Sequence, residues 1–331
     1  MSAFVNPAVR PQDVPAPSAD AAAFHRALPG YALTPVHDLA GLAGELGVGA
    51  VLVKDESSRL GLPAFKVLGA SWATELALRE APRTHTLVAA SAGNHGRAVA
   101  RVAAGRGLAC RVFLPARSLA VRRQAIAAEG AEVVVVDGTY EEAVAAAEAA
   151  GEEPDVVLVA DVGASGPARW VIDGYATLFG EAATQARYDL ILVPVGVGSL
   201  AAAAARHGAH AGVRVVGVEP VTAACLTASL RAGEPTRVPT PGTKMAGLDC
   251  AEVSLAAWPS LRAGIHATVA VTDEQTDGAV RDLRRAGLRI GESGAAPLAA
   301  MRALAADGDP ILPSSGRVLL IATEGPTGTA A

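Results

Sequence analysis

Between residues 49 and 323 the chain alternates short runs of branched apolar residues with alanine-rich stretches of helical length, and nothing else in it constrains the fold as much. An apolar run too short for a helix reads as a strand buried on both faces, and parallel strands of that kind need helical crossovers to cover them. The candidate strands are "GAVLVKDE", "HTLVAAS", "ACRVFLP", "AEVVVVDG", "DVVLVAD", "YDLILVPV", "VRVVGVEP" and "RVLLIAT". Helical stretches such as "GRAVARVAAGRG", "LAVRRQAIAAEG" and "TYEEAVAAAEAA" fall between them. The pattern specifies an α/β protein built from βαβ units around parallel sheets.

At 331 residues the chain is long enough for one large or two ordinary domains. Residues 68–175 hold four of the strands with their crossovers and read as a smaller domain, with 26–67 and 176–331 forming a larger one. The first 25 residues, rich in proline, read as a flexible lead. "RAGEPTRVPTPGTKMAGLDC" carries three prolines and few periodic apolar positions, which predicts a long loop near the site. No internal repeat is present.

Net charge is −5 with no block of like charges, which argues against a nucleic-acid or anionic-membrane partner and favours a small-molecule ligand. The start lacks the charged-then-apolar order of a signal peptide, and "LILVPVGVGSLAAAAA" is too short and glycine-broken to span a bilayer. A soluble cytoplasmic protein is expected. Cys110, Cys225 and Cys250 are odd in number and widely spaced, so they indicate buried thiols rather than a disulfide framework or a metal site.

Of the 28 basic residues only Lys54, Lys66 and Lys244 are lysines. A chain that uses arginine for surface charge keeps lysine where an amine that can lose its proton is needed. Lys66 lies in "GLPAFKVLGA", and its flanks Phe65, Val67 and Leu68 are expected to depress the amine's pKa and favour the neutral nucleophile. The alternative is a lysine that snorkels from a helix start.

Two glycine-containing turns stand where a strand gives way to a helix, "SAGNHGRAVA" after "HTLVAA" and "GVGSLAAAA" after "LILVPV". Both offer bare backbone N–H groups at a helix N-terminus, a ready anion site. "GVGSLA" also fits a dinucleotide fingerprint, with Glu219 about 20 residues on as a ribose-binding acid. The lysine separates the two readings: nicotinamide chemistry needs no amine, whereas pyridoxal 5'-phosphate (PLP) requires one for its Schiff base.

"KDESSRLGLPAFKVLGA", "SAGNHGRAVA", "GVGSLA", "KMAGLDC", "GESGA" and "LLIATEG", preceded by "YALTPVHDL", occur in the order found in fold-type II PLP enzymes. Over residues from about 30 to 325 the chain resembles this family, the tryptophan synthase β superfamily, and within it the diaminopropionate ammonia-lyases most. The resemblance implies two domains, each a mostly parallel sheet flanked by helices, and a homodimer. It implies Lys66 as the Schiff-base lysine beside Phe65, and Asn94 as donor to the cofactor's 3'-oxygen. Gly196, Val197, Gly198, Ser199 and Leu200 would cradle the phosphate, and Thr323 would face the pyridine nitrogen. A neutral hydroxyl there leaves the ring nitrogen largely unprotonated, which suits β-elimination. Ser91, Ala92, Gly93, Asn94 and His95 would hold the substrate carboxylate, and Glu292 would lie close to the ring. No metal is implied.

The chain departs from the family's "TDGNHG", whose aspartate serves one substrate enantiomer, by placing Ala92 at that position. Alanine takes no proton. Asp161, in a segment similar to the family's "QDTAWEGY", is the remaining carboxylate base, with the freed Lys66 amine as the other candidate. "TEGPTG" replaces "TEGDT". Asp55 and Glu56 are expected to fix the loop that presents Lys66, with Lys54 and Arg59 as ion-pair partners; Lys244 either meets a substrate anion or lies on the surface. The expected reaction is α,β-elimination from a β-substituted amino acid, L-2,3-diaminopropionate first, to a 2-oxo acid and ammonia. Serine or threonine dehydration, β-replacement, a PLP-binding protein without catalysis, and the dinucleotide-binding module are its rivals.

Overall fold

The computed structural model describes residues 3–164 and 166–326. The chain opens with β1 (Phe4–Val5), a 3-10 turn at Pro11–Asp13 and α1 (Asp20–Arg26). Then β2 (Val36–Asp38), α2 (Ala40–Leu46) and β3 (Ala50–Asp55) lead through a loop into α3 (Lys66–Glu80). Strands and helices alternate next as β4 (Thr86–Ala90), α4 (Asn94–Gly105), β5 (Ala109–Pro115), α5 (Ala120–Ala127), β6 (Glu132–Val136), α6 (Tyr140–Gly151), β7 (Val156–Leu158) and α7 (Pro167–Gln185). The remainder is β8 (Leu190–Pro194), α8 (Ser199–Ala211), β9 (Arg214–Pro220), α9 (Cys225–Ala232), α10 (Trp258–Gly264), β10 (Ala267–Val271), α11 (Asp273–Arg285), α12 (Glu292–Ala306) and β11 (Arg317–Ala322).

Two sheets result. The larger runs β1-β10-β9-β8-β11-β3-β2, parallel except for β1 and β2, which pair antiparallel at its two edges. The smaller runs β6-β5-β4-β7 and is parallel throughout. All eight strands expected from sequence are present. All five residues of β8 are buried, as a strand covered by helices on both faces requires. The three unexpected strands carry weaker signals: β1 and β2 have two and three residues, too few for a period, and β10 is a five-residue strand that follows α10 after only two residues.

The smaller sheet draws only on residues 86–158, whereas the larger takes strands from both sides of that segment. α7 runs unbroken across position 175, so a boundary there does not fall in a linker.

The expectation of a free N-terminal lead is corrected from residue 3 onward. β1 pairs with β10, the Asn6 amide donates to Arg262 O at 2.9 Å and Ile265 O at 2.7 Å, and Val14 and Ala21 are buried. Without β1 the backbone groups along the outer side of β10 would be left unpaired at a sheet edge. Prolines that restrict the unfolded chain lower the entropy lost when such a segment docks.

Two features fix the start of α3. Gly69 in α3 and Gly174 in α7 face each other closely: a Cβ on Gly174 would stand 2.5 Å from Leu68 O, and one on Gly69 would stand 2.6 Å from the Tyr175 ring. Glycine at both positions lets the helices approach.

The loop before α3 is clamped by buried charges. Lys54 pairs with Glu181 at 2.9 Å, and Arg59 pairs with Glu56 at 2.6 Å and with Glu181 at 2.7 Å. Thr34 donates to Glu56 Oε1 at 2.5 Å and accepts from Arg59. Glu181, on α7, is the shared acceptor, and both basic residues hold it well below the usual carboxylate range against the opposing effect of burial.

Candidate active site

The C-terminal ends of both sheets' strands meet around Lys66, the place where parallel α/β sheets bind ligands. β3 and β11 end at Asp55 and Ala322, and β8 ends at Pro194 before the Gly196–Gly198 turn. From the smaller sheet, β4 delivers the Ser91–Gly93 turn and β7 delivers Asp161.

Lys66 is the first residue of α3, and its amine donates to Asp161 Oδ2 at 2.8 Å. The expected depression of the Lys66 pKa does not hold. Burial works in that direction, but the Asp161 carboxylate more than offsets it and holds the amine above its ordinary range. Burial likewise opposes the Asp161 anion, and the charges of His95 and Lys66 overcome it, so Asp161 sits well below the usual carboxylate range. A cation at a helix N-terminus faces the positive end of the macrodipole, so Lys66 depends on this counter-charge.

His95 is fixed by a hydrogen bond from Nε2 to Val159 O at 2.7 Å, which leaves Nδ1 3.9 Å from Asp161 Oδ2. Ser199, at the start of α8, donates to the Asp161 backbone oxygen at 2.9 Å and so joins the two sheets directly beneath the pair. The Phe65 and Tyr175 rings meet at a tilt with centroids 4.8 Å apart, and the Tyr175 hydroxyl is buried beside the Lys66 amine. Burial pushes the Tyr175 phenol up to about 12.

The Gly196–Leu200 turn opens α8. Gly198 has φ +92°, a conformation that favours glycine, and the first intrahelical bond of α8 runs from Ala202 N–H to Gly198 O at 2.8 Å. The N–H groups before it belong to the unpaired first turn of a helix. The long loop reaches the turn as expected: a Cβ on Gly196 would lie 2.6 Å from Gly247 O and 3.1 Å from Cys250 Sγ.

Asn94 opens α4 with its side-chain amide donating to Glu324 Oε2 at 2.5 Å. Thr323 follows β11, buried, with its backbone oxygen accepting from Phe65 N–H at 3.3 Å. Glu292 is the first residue of α12 and stands near Glu324, which is the carboxylate that reaches across to α4. Ala92 packs as a partly buried apolar residue against the core.

Lys244 pairs with Asp277 at 2.7 Å on the surface. Cys110 and Cys225 are buried and Cys250 half-buried, all as free thiols, and among the described residues no cluster of His, Cys, Asp or Glu could hold a metal ion. No helix among them is long and apolar enough to cross a membrane.

Glu219 decides against a dinucleotide site. Its fully buried carboxylate accepts from Leu226 N–H at 2.6 Å, Thr227 N–H at 2.9 Å and Thr227 Oγ1 at 2.7 Å, capping the start of α9 where no ribose can reach it.

Sequence reasoning passed over Tyr175, Glu181 and Glu324, and read Cys250 only as a buried thiol. Glu324 sits one residue beyond Thr323 in a motif already singled out, and Cys250 ends another. Tyr175 and Glu181 belong to one long helix, α7, and only the glycine contact with α3 brings them to Lys66 and Arg59.

Three features of the site match PLP. A lysine amine stands at a helix start, a glycine turn opens another helix, and a buried tyrosine hydroxyl lies beside the amine. Together with the two parallel sheets they define a PLP-dependent enzyme of fold type II. The family described as pyridoxal-phosphate dependent enzyme matches residues 27–324, and the chain belongs to it.

Diaminopropionate ammonia-lyase of Salmonella typhimurium is 33% identical over 288 residues, 76% of this chain and 71% of that protein. The Escherichia coli diaminopropionate ammonia-lyase, solved in complex with an aminoacrylate–PLP azomethine reaction intermediate, superposes with a TM-score of 0.89 at 28% identity, covering 98% of this chain and 93% of that one. L-threonine ammonia-lyase of Geobacter sulfurreducens is 33% identical over 262 residues, 74% of this chain and 64% of that protein. The chain is a PLP-dependent lyase.

Proposed function

We propose that the chain catalyses α,β-elimination from a β-substituted L-amino acid, with L-2,3-diaminopropionate as the substrate. The observation that carries this reading is the Lys66–Asp161 pair, an amine and a carboxylate 2.8 Å apart beside a phosphate-type turn. When bound, PLP supplies the carbonyl that captures the substrate amine and the ring that takes up charge from the α-carbon.

Lys66 Nζ would hold the cofactor and the N–H groups of Gly196–Leu200 its phosphate, with Asn94 as donor to its 3'-oxygen and Thr323 as the residue toward its ring nitrogen. The Ser91–His95 turn holds the substrate carboxylate at the start of α4. Asp161, which holds Lys66 Nζ at 2.8 Å, is the carboxylate that would accept the α-proton, with His95 Nδ1 3.9 Å away beside the anion. Loss of the β-amino group and uptake of water convert diaminopropionate to pyruvate and two molecules of ammonia.

The relatives named for diaminopropionate support that substrate, and those named for threonine, together with Ala92 in place of an acid, keep hydroxyamino acids as the second reading. The part of the chain built on the smaller sheet, residues 86–158, closes over the substrate, and the protein is a cytoplasmic homodimer.

Borohydride reduction of the yellow protein fixes label on Lys66, and a panel of L- and D-diaminopropionate, serine and threonine assayed for 2-oxo acid and ammonia identifies the substrate. A colourless protein that takes up no PLP would refute the reading, and turnover of serine or threonine alone would move it to the second.

A further inference from the structure

We infer that Glu324 is a positioning residue for the cofactor's 3'-oxygen, acting through Asn94; the inference rests on the PLP reading above. Asn94 has two amide hydrogens on Nδ2 and an acceptor on Oδ1, and the two ends differ by a half-turn of the side chain. Glu324 Oε2 takes one of the hydrogens at 2.5 Å. A carboxylate neighbour selects the Nδ2 end and leaves the second hydrogen available, so that a donor rather than the repulsive Oδ1 faces the oxygen of the ring.

Glu324 itself is held from both sides. Its backbone forms a bridge with Ala64, two residues before Lys66, and its oxygen accepts from Gly291 N–H at 2.9 Å, while Gly325 N–H donates to Pro63 O at 3.0 Å. The carboxyl is buried at 7% exposure; burial and the nearby Glu292 raise its pKa, while the Ser293 hydroxyl, Arg122 and Lys66 favour the anion that Asn94 Nδ2 meets. Glu324 follows the last strand of the larger sheet and Asn94 begins a helix of the smaller one. The bond therefore sets a donor across the cleft from a frame that also fixes the Lys66 loop.

The test uses the holoenzyme and reads the pH titration of its visible cofactor band. A hydrogen bond donated to the 3'-oxygen withdraws charge from it, so the proton shared between that oxygen and the lysine nitrogen is held less tightly. Glu324→Ala is expected to raise the midpoint by about one pH unit, the size of a hydrogen bond to a charged group. Glu324→Gln, which keeps an acceptor for Asn94, should restore most of the wild-type value. In an Asn94→Ala background, removal of Glu324 should add nothing further. Glu324→Leu fills the same space without an acceptor and serves if the alanine variant does not fold.

A Glu324→Leu or Glu324→Ala enzyme that titrates like wild type overturns the inference, as does a shift that persists undiminished without Asn94. Either result leaves the PLP reading intact. A wild-type protein with no such band overturns both.

Discussion

Lys66 and Asp161 lie 95 residues apart in sequence, on elements leading from different sheets, and their charged groups meet at 2.8 Å. Neither sheet alone makes the pair. The larger sheet presents the amine at the start of α3, and the smaller one brings the carboxylate from the end of β7.

Asp161→Asn should lower elimination by about 10²–10⁴-fold, the usual contribution of a positioned base. Borohydride should still label Lys66. In the apoenzyme, the Asp161 pKa lies below its ordinary 3.8 and that of Lys66 above 10.5. The stability contributed by Asp161 is therefore present above pH 3.8 and lost as pH falls through the depressed value. That of Lys66 is present below pH 10.5 and lost as pH rises through the elevated one. Denaturant melts of wild type and variant across this range check the pair's persistence at neutral pH, and an unchanged kcat would remove Asp161 from the reaction.

Ala92→Asp should add turnover of D-diaminopropionate, with a gain of about 10²-fold over the wild type. Activity on the L form should persist because Asp161 is untouched. Separate assays of the two enantiomers decide it; wild-type turnover of the D form would show that another group does this work.

Gly196→Ala should weaken PLP retention by about ten- to a hundredfold, since the new Cβ meets a backbone oxygen, Gly247 O, at 2.6 Å and the turn has to shift. Equilibrium dialysis measures the loss, and circular dichroism should show the fold retained.

Arg59→Met should cost about 3–5 kcal/mol by leaving Glu56 and Glu181 buried without their shared partner. Arg59→Lys should recover only part of this, because one ammonium cannot replace a planar fork that reaches both carboxylates. Urea melts of the apoenzymes measure both, and a loss below about 1 kcal/mol would show the network to be dispensable.

Glu219→Gln should flatten the pH dependence of stability. Burial pushes the Glu219 carboxyl up to about 7, against three hydrogen bonds that favour its anion. Between 4.5 and about 7 the folded protein retains a proton that the unfolded chain has released, so stability falls as pH rises through that window. Glutamine has no proton to release. Thermal melts at pH 5 and pH 7 test the difference, and an identical slope in the two proteins would count against Glu219 as its source.

The sequence by itself determined the fold class, the eight principal strands and the cofactor, because these depend on local order: apolar runs set strands, glycine turns set helix starts, and a lysine between apolar neighbours, one of three in a chain of arginines, singles out an amine. It also placed Asp161 among the candidates, without a distance to Lys66. The tertiary structure decided what depends on residues far apart in the chain. It reversed the expected direction of the Lys66 pKa, because burial is a property of flanking residues but the Asp161 charge arrives from another sheet. It turned Glu219 from a ribose ligand into a helix cap, docked the N-terminal segment on β10, and brought Glu324 to Asn94 across 230 residues. Electrostatic and hydrogen-bond partners fall off within a few ångströms, and which groups come that close is settled only when the two sheets pack.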